Sequence, residues 1–120
     1  MKYDFIIYGG GLSSEIAALA LAQNNFKVCF IKNYTTQKTE TNLVTFLSSG
    51  SINYLYSILD DSMELKKFGD IKKITCKLAS SKKNSSITFD DESDSVLGKI
   101  LPNKAIHKIL DTNINKNKNI

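Results

Sequence analysis

The feature that most constrains the fold of this chain is a change from strand spacing to helix spacing across three consecutive glycines. The apolar and aromatic run from Tyr3 to Tyr8 predicts a buried strand that ends at glycines 9–11. Apolar residues three and four apart then predict a helix from Leu12 to Gln23, and the run from Lys27 to Ile31 predicts a second strand. The recurring positions of the helix are Ile16, Leu19, Ala20 and Gln23. Strand, turn, helix and strand within about 30 residues predict a βαβ unit, whose two strands run parallel.

The middle of the chain predicts an extended segment followed by a helix. Asn33 to Thr41 is polar and predicts a loop, whereas Leu43 to Leu47 is short, apolar and compatible with an extended segment. Ser49 or Ser51 is the predicted cap of the helix that follows. The apolar residues of this helix recur three and four apart and form one stripe: Ile52, Leu55, Tyr56 and Leu59.

The last third of the chain predicts a peripheral hairpin and a C-terminal helix. Ile71 to Leu78 and Ser86 to Phe89 are strand candidates separated by a polar stretch, which is typical of an antiparallel hairpin. Pro102 is expected to open the final helix at its first turn. The buried face of that helix is predicted to carry Ile106, Ile109 and Leu110. Residues 113–120 form a polar Lys/Asn tail that we expect to fray.

The glycine turn carries the one motif with recognisable chemistry. In the dinucleotide-binding fingerprint the first glycine allows a tight turn, the second lets the backbone approach a pyrophosphate, and the third allows close packing of helix and strand. Gly9 and Gly11 fill the first two positions, and Ser14 takes the third. We expect Gly9, Gly10, Gly11 and Ser14 to face the pyrophosphate through backbone amides at the start of the helix. Glu15 would repel a phosphate if it pointed inward, so we expect it on the solvent side.

The end of the second predicted strand departs from the fingerprint. An acidic residue is expected there to bind the ribose hydroxyls, but the position holds Lys32, followed by Asn33. A lysine cannot accept those hydrogen bonds, although the Asn33 carboxamide oxygen could accept one. A small NAD-binding module is therefore disfavoured, because it needs the same acidic partner.

Several segments of the chain resemble one enzyme family. Tyr3 to Gly11, followed by Ala17 to Ala22, is similar to the opening of the FAD-dependent aromatic-ring hydroxylases, especially those of ubiquinone biosynthesis. Thr45 to Leu55 resembles the family segment that runs into the helix after the second strand, and Leu97 to Ile106 resembles the stretch that precedes a helix near the flavin domain. The resemblance implies FAD as the cofactor, a Rossmann-like fold, and a monooxygenase in which reduced flavin and dioxygen hydroxylate an aromatic ring.

The chain also departs from this family in charge and in length. The family's ribose acid stands where Lys32 is, and a flavin-proximal arginine falls at about residues 41–43, where the sequence is Thr-Asn-Leu. Family members are much longer, and their later Gly-Asp flavin motif and most of their substrate pocket have no counterpart here. We therefore expect residues 1–112 to be a truncated FAD-binding domain that is not catalytically competent alone, and we assign no catalytic residue. The alternative is a non-catalytic remnant or interaction subunit that pairs with a separately encoded chain or with a second copy.

Composition excludes several other classes of protein. The 120 residues are enough for one domain, and no apolar run approaches the roughly 20 residues of a membrane span, which leaves peripheral membrane association open. The formal charge of +4 comes from lysines scattered among acidic residues, a pattern that does not predict a nucleic-acid partner. Cys29 and Cys76 are expected to be reduced thiols, and with no signal peptide this favours a cytoplasmic protein.

His107 and the acidic residues between positions 90 and 94 are the candidates for a catalytic base and for a metal site. His107 is predicted to be a surface or packing residue rather than a catalytic base. The carboxylates of residues 90–92 and Asp94 are consecutive or nearly so in a polar stretch, and we expect them to be solvated rather than to hold a metal.

Overall fold

The N-terminal part of the computed structural model is a strand-helix-strand unit, as the sequence predicts, but its first strand is not buried as predicted, since Ile6 and Tyr8 are 71% and 70% exposed. The structure describes residues 2–33, 42–78, 85–90, 93 and 95–120. Strand β1 (Phe5–Gly9) leads through the glycine turn into helix α1 (Leu12–Gln23), and strand β2 (Val28–Lys32) follows. β1 and β2 pair in parallel, from Phe5 opposite Val28 to Gly9 opposite Lys32. Within the described ranges this sheet has two strands.

A strand and a helix follow each other without a loop in the middle of the chain. Strand β3 (Val44–Ser48) is continuous with helix α2 (Ser49–Ile58). The Oγ of Ser48 accepts a hydrogen bond from the backbone amide of Ser51, so the cap is Ser48 and not Ser49 or Ser51 as predicted. The predicted stripe is largely confirmed, because Ile52, Leu55 and Leu59 are buried. After a short 3₁₀ helix, Asp70–Ile71 forms the two-residue strand β4.

The predicted hairpin is present. Strand β5 (Lys73–Lys77) pairs antiparallel with strand β6 (Ser86–Asp90), with Ile74 opposite Phe89 and Cys76 opposite Ile87. β4 is separate from this hairpin, although the sequence predicts one strand from Ile71 to Leu78. The polar stretch between the two strands falls mostly on residues 79–84, which lie outside the described ranges.

The C-terminal part contains a strand that the sequence did not reveal. Strand β7 (Gly98–Pro102) pairs antiparallel with β3 on one side and β4 on the other. A Cβ at Gly98 would lie 2.1 Å from the carbonyl oxygen of Leu47 and 2.7 Å from the ring of Phe46, so only glycine allows β3 and β7 to approach this closely. Helix α3 (Asn103–Lys116) then starts directly after Pro102, which is its N-cap.

The end of the chain is ordered against the first sheet. α3 continues to Lys116, so the predicted start of the polar tail at residue 113 falls within the helix, where Asn113 is buried. Beyond the helix, the carbonyl oxygen of Asn119 accepts a hydrogen bond of 2.7 Å from the amide of Val28 in β2. The expected fraying is therefore not what the structure shows.

One hydrophobic core joins the α-helices and β7 of the described chain and includes no residue of the β5–β6 hairpin. It lies between the three α-helices of the described chain and β7, and its buried members are Leu19, Leu55, Ile58, Leu59, Leu65, Leu101, Ile106, Ile109 and Leu110. The three apolar residues predicted for the buried face of α3 are among them. Among the described residues, none of the helices has the length and hydropathy that crossing a bilayer requires. The described chain is thus a mixed α/β structure with one parallel pair of strands and antiparallel sheets.

Candidate functional site

The turn between β1 and α1 brings Gly9 against Ser14. Gly9 has φ of +157°, a backbone conformation that residues with a side chain rarely adopt. A Cβ at Gly9 would lie 3.0 Å from both the Cβ and the Oγ of Ser14. Ser14 donates a hydrogen bond of 2.7 Å to the carbonyl oxygen of Gly11, which turns its hydroxyl toward the turn. Gly9 and Ser14, the residues at the first and third fingerprint positions, therefore pack on each other.

Gly11 differs from Gly9, because the protein itself does not require a glycine there. Its φ of −94° and ψ of 167° are extended values that any residue adopts, and a Cβ at this position would meet no atom within 4 Å. Gly11 is the N-cap of α1 and offers no side-chain oxygen to the first amides of the helix. The amides of Ser14 and Glu15 donate to the carbonyl oxygen of Gly11 at 3.1 and 3.3 Å. Since the first amides of a helix have no carbonyl oxygen in a preceding turn, those of Leu12 and Ser13 are the donors available to an anion that approaches over Gly11.

The end of β2 lies beside this turn. The amide of Asn33 donates to the carbonyl oxygen of Gly9 at 3.1 Å, and Asn33 Nδ2 donates to the hydroxyl of Tyr8 at 3.2 Å. The structure therefore brings Asn33 together with Gly9, Gly10, Gly11 and Ser14 at one edge of the parallel pair. Of the segment matched to the flavin-proximal arginine, Thr41 lies outside the described residues, and Leu43 is an exposed apolar residue.

Glu15 corrects one sequence prediction directly. It was expected on the solvent side, but it is fully buried. The buried residues of α1 are Glu15, Ala18, Leu19 and Ala22, a face that begins one position before the predicted one. Two alanines on this face let the helix approach its neighbours closely, and Glu15 lies in line with them at helical spacing.

A network of charged side chains accounts for the burial of Glu15. Its Oε1 lies 2.7 Å from Nζ of Lys32 at the end of β2, and its Oε2 lies 2.7 Å from Nδ1 of His107 on α3. Because an ionised carboxylate only accepts hydrogen bonds, the His107 ring must donate through Nδ1. Lys32 also pairs with Asp111, one turn after His107 on α3. We call these four residues, Glu15, Lys32, His107 and Asp111, the buried charge network after its fully buried member Glu15; the side chain of Asp111 is 43% exposed.

The protonation of Lys32 follows from its two carboxylate partners. Burial by itself would lower the pKa of Lys32, but the hydrogen bonds and attraction of Asp111 and Glu15 outweigh it and raise the pKa above 10.5. The side chain of Lys32 is only 11% exposed. Lys32 therefore serves as the counter-ion of a buried acid, which explains why a lysine stands at a strand end where the fingerprint expects an acidic ribose ligand.

The spacing of apolar residues alone does not predict the buried charge network. His107 was predicted to be a surface or packing residue, and it packs, with its side chain 14% exposed and in contact with Glu15. His107 and Asp111 are four residues apart on α3 and so share a helix face. Glu15 stands three residues before Ala18 and four before Leu19, so it shares their helix face. These two spacings, on α1 and on α3, are the signal in the sequence that indicates a common site.

Metal binding finds no support in the described residues. Asp91, Glu92 and Asp94 lie outside the described ranges, so the acidic segment of residues 90–94 cannot be described as a unit. Within those ranges, no three His, Cys, Asp or Glu side chains are grouped in a way that could hold a metal ion. Cys29 is half-buried and Cys76 is exposed, and both are free thiols.

Comparison with known proteins adds no information on family or function. Neither the models of known protein families nor the sequences of curated proteins match this chain. The functional argument therefore depends on the geometry of the glycine turn and on the residues around it.

Proposed function

We propose that this chain binds the pyrophosphate of FAD at the turn between β1 and α1, as the N-terminal FAD-binding portion of a flavoprotein monooxygenase of the ubiquinone-biosynthesis type. The observation that carries the proposal is the difference between Gly9 and Gly11. Packing against Ser14 explains the glycine at position 9, whereas no packing contact in the described chain requires a glycine at position 11. A ligand that approaches the backbone closely would require it.

The residues around the turn have separate roles in this proposal. The amides at the start of α1 bind the phosphate oxygens, and Gly11 leaves the space for them to do so. Asn33 follows the carboxyl end of β2, where the ribose is expected, and its carboxamide oxygen accepts a hydrogen bond from one ribose hydroxyl. When bound, the reduced flavin supplies the reaction with dioxygen, whereas the chain holds and orients it. The reduced cysteines and the cytoplasmic location expected from the sequence belong to the same proposal.

Lys32 supports this function without touching the ligand. A negative charge in the first turn of α1 would oppose a phosphate if it were left uncompensated. Nζ of Lys32 lies 2.7 Å from Oε1 of Glu15 and compensates this charge. The buried charge network therefore allows an acidic residue and an anion site to share one helix turn.

A flavin titration with a matched pair of glycine variants tests the proposal. Gly11→Val places a side chain where the pyrophosphate would lie, and Gly69→Val places the same side chain at a second position where a Cβ meets no atom within 4 Å. As an N-cap substitution, Gly11→Val is expected to cost only about 1 kcal/mol of stability, so it should remain folded. We expect FAD binding by the wild type and by Gly69→Val, and its loss in Gly11→Val. No binding by the wild type at about millimolar FAD (about −4 kcal/mol), or equal binding by Gly11→Val, would contradict the proposal.

A second candidate function is that of an interaction subunit for a separately encoded chain. The β1–β2 sheet favours it, because α1 covers only one face and the other face exposes Ile6 and Tyr8 by 71% and 70%. Ile31 lies opposite Tyr8 on this face and is also exposed. The flavin titration separates the two functions. A chain that binds no FAD alone, but binds it when co-expressed with a partner that carries the Gly-Asp flavin motif, has the second function.

A further inference from the structure

Strand β2 has one edge that no other strand of the described ranges covers. The amide of Asn33, the residue after β2, donates to the carbonyl oxygen of Gly9 in β1. Backbone groups point alternately to the two sides of a strand, so those of Val28 and Phe30 point away from β1. The amide of Val28 does so, since it donates to the carbonyl oxygen of Asn119 at 2.7 Å. We call this side the outer edge of β2.

The end of the chain occupies only the first position of the outer edge. Asn119 belongs to a turn, in which its amide donates to Oδ1 of Asn117 at 2.9 Å, and it makes one backbone hydrogen bond to β2. Phe30, two residues after Val28, forms no outward backbone hydrogen bond with a described residue. An amide and a carbonyl left open at a strand edge are a template for the backbone of another extended segment.

A cleft of about 460 Å³ borders the outer edge. Val28 and Phe30 of β2 line it together with Asp111, Ile114 and Asn115 of α3. Its volume lies within the range of roughly 300–1,000 Å³ that is typical of ligand sites. The cleft therefore offers a ligand both a strand edge and the side chains of a helix.

The helix side of this cleft carries an excess of negative charge. The buried charge network contains two carboxylates and one ammonium group, and the charge of fully buried Glu15 is matched by Lys32. Asp111 pairs with Lys32 through Oδ1, but its side chain is 43% exposed and its Oδ2 accepts no hydrogen bond from a described residue. Asn115, one turn further along α3, is exposed. The cleft therefore favours a cationic donor next to Asp111.

We propose that this cleft binds an extended segment of another protein, which pairs with the outer edge of β2 at Phe30 and directs a lysine or arginine toward Asp111. In an antiparallel pair, one residue of the segment can exchange both backbone hydrogen bonds with Phe30. Strand addition of this kind takes its affinity from backbone hydrogen bonds and its specificity from the side chains along the groove.

The alternation of side chains determines which residue of the segment should be basic. Phe30 and Lys32 are two residues apart and share one face of the sheet. The side chain of Lys32 contacts Asp111, so this face is the one on which α3 lies. A residue that pairs directly with Phe30 has its side chain on the same face and therefore on the side of Asp111. The inference does not rest on FAD binding, because the glycine turn is not part of this cleft.

An NMR titration of the ¹⁵N-labelled chain with a blocked peptide, acetyl-Thr-Val-Lys-Val-Thr-amide, tests the proposal. We expect the Phe30 amide to shift with a dissociation constant below about 1 mM and to become protected from hydrogen exchange. Asp111→Asn should weaken binding at least threefold. Asp70→Asn is the matched control and should change binding less than twofold, because Asp70 is a similarly exposed carboxylate that pairs with a nearly buried lysine, Lys99, away from the cleft.

Two altered peptides separate the backbone contribution from the charge contribution without changing the protein. The peptide with N-methyl groups on its three central amides keeps its charge but cannot donate to Phe30, and we expect it not to bind. The peptide with glutamate in place of lysine should bind at least tenfold more weakly. The proposal is overturned if the lysine peptide leaves the Phe30 amide unchanged at about 1 mM, or if either altered peptide binds as well as the original. A Phe30 amide that shifts with protein concentration alone would show that a second copy of the chain occupies the edge, and would also overturn it.

Discussion

The β1–β2 pair and the β5–β6 hairpin are both two-stranded sheets with strands of five residues, but they are stabilised in opposite ways. The β1–β2 pair is joined by α1, which covers one face and buries Val28 completely. In the hairpin, Ile74 is half-buried and every other strand residue is exposed. Two parallel strands need a crossover connection, and here that connection is a helix that packs on one face of the sheet. A hairpin has no such helix, so its apolar face can be covered only by another element or another molecule.

The two sheets also differ in how their lysines are paired with carboxylates. Lys32 at the end of β2 is almost buried between two carboxylates, and Lys73 at the start of β5 is largely exposed, with Asp90 4.0 Å away. A buried ion pair is strongly destabilising when one partner is removed, whereas an exposed pair contributes little. Variants of these two lysines measure how far the two regions differ.

The largest effect is expected from Lys32→Met compared with Lys73→Met. Lys32→Met leaves the fully buried carboxylate of Glu15 without its counter-ion and should lower the free energy of unfolding by about 3–5 kcal/mol. Lys73→Met should change it by less than about 0.5 kcal/mol. Urea unfolding followed by circular dichroism measures both. The double variant Glu15→Met/Lys32→Met should recover most of the loss, and failure to recover would show that Lys32 acts through contacts other than Glu15.

A smaller difference is expected between two isoleucines. Ile106→Ala removes a side chain from the core between α3 and its neighbours and should cost about 2–4 kcal/mol. Ile87→Ala removes the same atoms from the exposed hairpin and should cost less than about 0.5 kcal/mol in the monomer. The measurement is again urea unfolding, at a concentration low enough to keep the chain monomeric. Equal losses at the two positions would show that the hairpin is buried in solution.

The smallest effect is expected from high pH. The pKa of Lys32 is raised in the folded state, so its contribution to stability is complete below 10.5 and is lost as the pH rises through the folded-state value. The relevant quantity is the difference in the free energy of unfolding between the wild type and Glu15→Met/Lys32→Met, measured at each pH. We expect that difference to shift against the wild type as the pH rises above about 10.5, and not at lower pH. A difference that does not change with pH would mean that Lys32 has the same pKa in both states.

The residues within a segment predict whether it forms a helix or a strand better than they predict which other strand it pairs with. The bounds of α1 match the prediction because glycines precede the helix and Asn24 and Asn25 follow it. β7 was missed because a strand that pairs with β3, about 50 residues earlier, leaves no mark of that pairing in its own residues. The segment before Pro102 was interpreted only as the approach to a helix.

The sequence predicts the backbone of the glycine turn, but it does not predict the side-chain contacts of the buried charge network. Glycine spacing indicated the turn, because backbone conformation is encoded by the residues at the turn itself. Glu15 was placed in solvent because burial of a carboxylate is unfavourable unless a partner is present, and its partners come from β2 and α3. The residues next to Glu15 in the sequence do not indicate partners that lie so far along the chain.

The distance along the chain between these partners has a consequence for folding during synthesis. Lys32 pairs with a residue 79 positions later, and Glu15 binds one 92 positions later. When the strand-helix-strand unit leaves the ribosome, α3 has not yet been made, and the two charges that it will satisfy remain in water. The N-terminal unit is therefore completed last, although it is made first, and a chain that stops before α3 is expected to need a chaperone to remain soluble.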